Sequence, residues 1–206
     1  MLSSHRVPLI LLSLYAVLCV GLAVHPYDRP TWFAENLTVW IIVGTLLVLY
    51  LRGIRFSNTA YLFMSVLIFL HTIGGHYTFE RVPFSWVTDL FGFERNHYDR
   101  IAHFSVGFYA FAIAEWIMRA RAVTNRFMLF TYPIFVIATV AMSYELIEWV
   151  YAASADPVAG AAYLGSQGDI WDAQKDMLAD TLGAIVAIIA FICLRKPDFS
   201  VNKEIQ

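Results

Sequence analysis

The sequence predicts an all-α polytopic membrane protein, built as a bundle of six transmembrane helices. Three observations point there. The chain of 206 residues is 59% hydrophobic and 15% charged, with mean hydropathy +0.61, a balance foreign to soluble domains. Its apolar residues gather into six stretches of about 18–25 residues, the length that spans a hydrocarbon core of about 30 Å. Its charged residues collect where those stretches end.

The first stretch, Val7–Val24, follows Arg6 as a signal peptide would. Its apolar run is too long for a typical leader, and Ala23-Val24-His25 is a poor cleavage site, so it reads as a retained helix. The second and third are Trp32–Leu51 and Asn58–Gly75. A loop follows in which Phe84, Val87, Leu90 and Phe91 recur at helical spacing beside Trp86, which predicts a short helix lying in the membrane interface. The fourth and fifth stretches are Ile101–Met118 and Phe127–Trp149, and Pro133 is expected to kink the fifth. Between Ala152 and Ile170 the residues Pro157, Gly160, Gly165 and Gly168 predict an irregular loop. The sixth stretch is Met177–Leu194. No linker or repeat divides residues 1–206, so they read as one integral membrane domain.

The Lys and Arg residues set the orientation. Arg6, Arg52, Arg55, Arg119, Arg121, Arg126, Arg195, Lys196 and Lys203 fall on one side of the membrane in this arrangement. Only Arg29, Arg81, Arg95, Arg100 and Lys175 fall on the other. Both termini are therefore expected in the cytoplasm of a multi-pass bacterial inner-membrane protein. Cys19 and Cys193 would lie too far apart along the membrane normal to form a disulfide. No basic patch points to nucleic acid.

Seven carboxylates, Asp99, Glu145, Glu148, Asp169, Asp172, Asp176 and Asp180, then converge on the extracytoplasmic ends of the helices, with His103 and His76 close in sequence. A charge near the bilayer core costs about 2.5–3.5 kcal/mol on insertion scales, so such groups are seldom idle. Asp99 and His103 are four residues apart and share a helix face, as do Glu145 and Glu148, three apart. Asp169, Asp172, Asp176 and Asp180 fall within a stripe of roughly 80°, which Gly183 and Ala187 continue deeper. Small residues there let another helix approach closely, so the stripe is expected to face the bundle.

The bland reading makes Asp99, Asp172 and Asp176 caps at helix starts. Glu145 and Glu148 resist it, because they sit at a helix C-terminus where negative charge opposes the dipole. Arg81, Arg95, Arg100 and Lys175 do not balance seven carboxylates, so some carboxyls protonate or a divalent cation sits among them. Oxygen donors with one His suit Mg, Mn, Ca or Zn. In this reading Asp99, His103, Glu145, Glu148, Asp169, Asp172 and Asp176 are the metal ligands, and His103, Glu145 and Glu148 the acid–base groups. His76, His97, Arg100, Gln174, Lys175 and Asp180 would contact substrate. His71 reads as a packing residue bonded to a neighbouring helix, and Glu115 as an i,i+4 partner of Arg119.

The stretches His76-Tyr77-Thr78, Asn96-His97-Tyr98-Asp99-Arg100 through His103-Phe104, and Gln167-Gly168-Asp169-Ile170-Trp171-Asp172-Ala173-Gln174-Lys175-Asp176-Met177 resemble the YjdF-type bacterial inner-membrane proteins. That resemblance implies location and topology more than activity. A looser resemblance is to VanZ-like envelope proteins, through Asp99-Arg100 with His103, Glu145 with Glu148, and Asp176 with Asp180 and Gly183. Here Glu148 replaces their Gln and Asp180 their Asn, making this site more acidic. The expectation is a metal-dependent hydrolase or transferase acting on a membrane lipid or lipid-linked envelope substrate. The alternatives are a non-enzymatic envelope accessory protein and a small-solute or ion transporter.

Overall fold

A computed structural model describes residues 6–123, 125–154 and 166–195. Their helices, in chain order, are α1 (Arg6–Leu22), α2 (Arg29–Leu51), α3 (Asn58–Tyr77), α4 (Ser85–Phe91), α5 (Tyr98–Val106), α6 (Tyr109–Ala120), α7 (Arg126–Ser154) and α8 (Asp172–Arg195). Five segments are long and apolar enough to cross a membrane: α2, α3, α5 with α6, α7 and α8. The 17-residue α1 is the sixth apolar helix, at the lower limit of about 17 residues for a span. Fully apolar side chains such as Val17, Val20 and Ile147 are 67–74% exposed, as expected where hydrocarbon rather than water surrounds the helices. The chain is therefore a polytopic helical membrane protein. It divides into two compact units, one up to Ala102 and one from His103.

In the first unit α3 packs against both α1 and α2. Tyr15, Val39 and Ile68 form its core, with Leu12, Trp40 and Phe69 against them. Local chemistry fixes the helix starts. Asp28 caps α2 by accepting from Thr31 N at 2.8 Å, and Pro30 occupies the first turn, where a missing N–H costs nothing. Ser57 caps α3 by accepting from Ala60 N at 3.2 Å. The chain leaves α3 through Thr78 in the left-handed region, its N–H returning to Gly74 O. The following segment is tied down by Asn96, which donates to Glu80 O and Val82 O, and by Tyr98, whose hydroxyl donates to Leu70 O at 2.9 Å. The expected interfacial helix is α4, with Trp86, Leu90 and Phe91 turned outward and 64–70% exposed.

The second unit contains α6, α7 and α8, each packed against the other two. α7 returns the chain across the membrane, so α6 and α8 run in the same direction. The helices differ from the sequence expectation in two ways. The fourth span is not continuous: it breaks at Gly107-Phe108, where Phe108 N and Ala110 N reach carbonyls only three residues back. A Cβ at Gly107 would collide with the backbone of Gly183 and Ala184, and one at Gly183 with Phe104 O. Glycine on both sides lets the α5–α6 junction and α8 meet backbone to backbone. The sixth span begins at Asp172 rather than Met177, so Asp172 and Asp176 lie within the helix. Pro133 lies inside α7, which continues through it. Of the expected irregular loop, Pro157, Gly160 and Gly165 lie outside the described residues, as do Lys196 and Lys203. Gly168 ends a single 3₁₀ turn, Ser166–Gly168. Cys19 and Cys193 are both free.

Candidate functional site

The acidic stripe of α8 faces inward. Asp172, Asp176 and Asp180 recur at every fourth position and are 6%, 4% and 2% exposed. Gly183, Ala184, Ala187, Ile188 and Phe191 continue the buried face. The apolar part packs on Ala110, Phe111 and Ala114 of α6, with the Phe111 and Phe191 rings edge-on at 5.4 Å. The close backbone approach at Gly107 and Gly183 pulls α5 onto the acidic part of this stripe, which sets His103 between two carboxylates.

The imidazole is bracketed. Nε2 of His103 lies 3.7 Å from Asp176 Oδ1. Nδ1 lies 3.4 Å from Asp180 Oδ1 and 3.5 Å from Oδ2. From α7, Glu145 is buried at 8% exposure and lies within electrostatic reach of His103, Asp176, Asp180 and Glu148. Three carboxylates from two helices, Glu145, Asp176 and Asp180, thus lie around one imidazole from a third, with Glu148 beside Glu145. Asp99 lies one turn before His103 on α5, and Arg100 Nη1 approaches Asp99 Oδ2 at 4.0 Å.

The His103 distances matter. A direct N–H···O bond to a carboxylate closes to about 2.7–2.9 Å, and the 3.7 Å between His103 Nε2 and Asp176 Oδ1 is longer than that. Two ligands on one tetrahedral ion, with metal–N and metal–O bonds of about 2.0–2.2 Å, stand roughly 3.4 Å apart. The donor chemistry, imidazole nitrogen with carboxylate oxygen, suits a divalent ion.

Other expected site residues are placed elsewhere or already engaged. Asp169 precedes α8. It accepts from Trp171 N at 3.1 Å and pairs with Lys175 Nζ at 2.7 Å, so these two neutralise each other at the surface. Gln174 is exposed on the same turn. In the first unit, His76 donates from Nδ1 to Leu22 O at 2.8 Å, which ties α3 to the end of α1. His97 packs edge-on against Phe93, with ring centres 4.6 Å apart.

Two partners, Glu35 and Arg195, go beyond the sequence reading. His71 does bond a neighbouring helix: its Nε2 lies 3.1 Å from Oε2 of Glu35 on α2. Glu35 carries the only charge between Arg29 and Arg52, and that isolation was the available signal. Beside it Asn36 is fully buried, and Gly75 permits the contact, since a Cβ there would stand 3.0 Å from Glu35 Cβ. At the opposite end of the second unit, Glu115 pairs with Arg119 as expected, at 2.5 Å, and also with Arg195 of α8, at 2.5 Å.

Residues 7–197 match the family model described as "Predicted membrane protein (DUF2238)". The chain is 36% identical over 194 residues to the inner membrane protein YjdF of Escherichia coli (strain K12), covering 91% of this chain and 87% of that one. No solved structure matches it. A family model spanning nearly the whole sequence, with a relative this similar over nearly its full length, places the chain in the DUF2238 family of predicted membrane proteins.

Proposed function

We propose that this protein resides in a bacterial inner membrane with both termini in the cytoplasm, and that its His103 cluster holds a divalent cation at the extracytoplasmic face. One observation carries the reading: Glu145, Asp176 and Asp180 lie around a single imidazole, 3.7 Å from Asp176 and 3.4 Å from Asp180, with Glu148 adding its charge beside Glu145. Like charges this close need a cation or bound protons. A cation bridging His103 and Asp176 would satisfy both the charge and the spacing.

His103 and Asp176 would be the central ligands. Asp99 lies on the same face of α5 as His103 and would add a carboxylate. Asp180, at the other imidazole nitrogen, would hold the ring's tautomer and orientation, as outer carboxylates do for metal-bound histidines. Glu145 and Glu148, on one face of α7, would move protons. The ion would supply Lewis acidity toward a phosphoryl or acyl oxygen. Set at the end of membrane spans, such a site suits hydrolysis of, or group transfer to, a lipid or lipid-linked envelope substrate. Transport is the less favoured reading, because Glu115 at the opposite end is closed by two arginines.

Metal content decides the central claim. Protein purified without chelators should carry a stoichiometric divalent ion by elemental analysis, and Asp176→Asn with Glu145→Gln should carry none. A metal-free wild type, even after reloading with Mg, Mn, Ca or Zn, would sink the reading. For orientation, Glu94→Cys in a background lacking Cys19 and Cys193 should react with an impermeant thiol reagent added to whole cells with a permeable outer membrane. Labelling only after the inner membrane is breached would reverse the assignment.

A further inference from the structure

The first unit contains a cavity that the His103 cluster does not touch. It has a volume of about 190 Å³ and lies between α1, α2 and α3. Leu9 and Leu12 line it from α1, Leu46 and Leu51 from α2, and Ser65 and Phe69 from α3. Two of its hydroxyl groups are engaged locally: Ser65 donates to Leu62 O at 2.7 Å, and Tyr61 OH accepts from Phe56 N at 3.4 Å. The wall offers a ligand hydrocarbon contact and almost nothing polar. Room for several methylene groups in a crevice between membrane helices fits the end of an acyl chain.

The rim adds a second, independent feature. Tyr50 lines the cavity, and the Arg55 guanidinium stands over its ring at 5.1 Å. Leu51 lines it, and Arg52 follows as the C-cap of α2. Pro8 lines it, two residues after Arg6 opens α1. The stretches that carry these arginines hold no acidic residue: the sequence has no Asp or Glu before Asp28 or between Glu35 and Glu80. A hydrocarbon slot with arginines next to its lining residues in the chain is complementary to one kind of membrane molecule.

We propose that this cavity is a binding site for an anionic glycerophospholipid, one acyl chain lying between α1, α2 and α3 and the phosphate held among Arg6, Arg52 and Arg55. The hydrocarbon chain replaces empty space with dispersion contacts, and the arginines select charge. The site does not depend on the function proposed for the His103 cluster.

Native mass spectrometry tests this on the full chain in detergent, with dioleoyl phosphatidylglycerol and dioleoyl phosphatidylcholine offered in equal amounts. The expected result is one retained lipid per chain and a preference for phosphatidylglycerol of about tenfold. Arg52→Gln with Arg55→Gln should abolish the preference while lipid is still retained. Ser65→Phe, which fills the slot, should lose the retained lipid of either type. Equal retention of both lipids by the wild type would overturn the proposal. So would unchanged retention by Ser65→Phe, or a stable dimer that Ser65→Phe disrupts. If Ser65→Phe does not fold, the arginine pair, which changes only the rim, still decides the headgroup half, and Leu12→Phe fills the slot from another helix.

Discussion

The second unit buries carboxylates at both ends, and the two ends are built on opposite principles. Glu115 is 1% exposed and meets two guanidinium groups, Arg119 from its own helix and Arg195 from α8. Asp180 is 2% exposed and faces an imidazole, with Asp176 and Glu145 close by. One end closes its charge with permanent cations, whereas the other crowds like charges around a group that is cationic only when protonated. A buried pair that is fully matched serves the fold. A buried cluster that is mismatched is kept at the expense of the fold, and it points to something bound or to a reaction. The same two segments, α5–α6 and α8, build both ends, so the difference cannot be assigned to a general polarity of these helices.

The largest effect is expected where the charge is closed. Glu115→Gln leaves Arg119 and Arg195 without their shared carboxylate, and breaking a buried pair from one side costs about 3–5 kcal/mol. Thermal unfolding in detergent should show this as a marked fall in midpoint, while divalent metal content, normalised to folded protein, stays at the wild-type level. If Glu115→Gln were as stable as wild type, the description of this end as structural would fail. If it lost metal while folded, the two ends would not be independent.

The cluster should respond in the opposite way. Removing the proposed ion with a chelator should lower the unfolding midpoint, because an ion present at 100 times its Kd contributes about 2.7 kcal/mol. Asp176→Asn should lose that response, and in chelator it should be at least as stable as wild type, since one of several like charges has gone. A chelator shift that persists in Asp176→Asn would place the ion somewhere else.

A third change tests how the cluster is held together. Gly183→Ala puts a methyl group against Phe104 O. The backbone there cannot step aside as a side chain could, and overpacking of this kind costs about 1–3 kcal/mol. It should also move His103 away from Asp180 and weaken metal binding, with every ligand still present. Gly21→Ala is the control: nothing lies within 4 Å of its added Cβ, so it should not lower the unfolding midpoint and should leave metal content unchanged. Full metal retention by Gly183→Ala would show that the glycine contact does not position the imidazole.

Much of this contrast was legible in the sequence, for a physical reason. Hydrocarbon tolerates few charges, so each one inside or beside an apolar stretch stands out, and helical periodicity then gives its face. Of the stripe Asp169, Asp172, Asp176 and Asp180 with Gly183 and Ala187, all but Asp169 face inward as the spacing predicts, and Asp169 drops out because it precedes the helix and pairs with Lys175. Three things were not legible. The start of α8 lies earlier than hydropathy places it, because hydropathy falls where the carboxylates begin although the helix continues through them. The pairing of Lys175 with Asp169 left this cation unavailable to the cluster, and only coordinates reveal such a pairing. Arg195 reaches Glu115 from 80 residues away in sequence, a contact that follows from α6 and α8 running in parallel, which no local pattern reports.

The smallest effect concerns a carboxylate with neither arginine nor imidazole as its partner. Asp28 lies just ahead of α2 and accepts from Thr31 N at 2.8 Å, and this bond holds its carboxyl below the usual aspartate range. A group whose folded pKa is lowered contributes stability above its unfolded value, about 3.9, and that contribution is lost as pH falls through the lower folded value. Asp28→Asn keeps a capping oxygen without a titrating group. Its unfolding midpoint should match wild type near neutral pH and fall less steeply below pH ~4. Asp28→Ala should be slightly less stable than either at neutral pH. Equal acid slopes for wild type and Asp28→Asn would mean that the cap does not depend on ionisation. The comparison separates the three carboxylates by partner: a backbone amide gives Asp28 a small pH-dependent effect, two arginines give Glu115 a large effect on stability, and an imidazole among like charges gives Asp176 an effect seen in metal binding before stability.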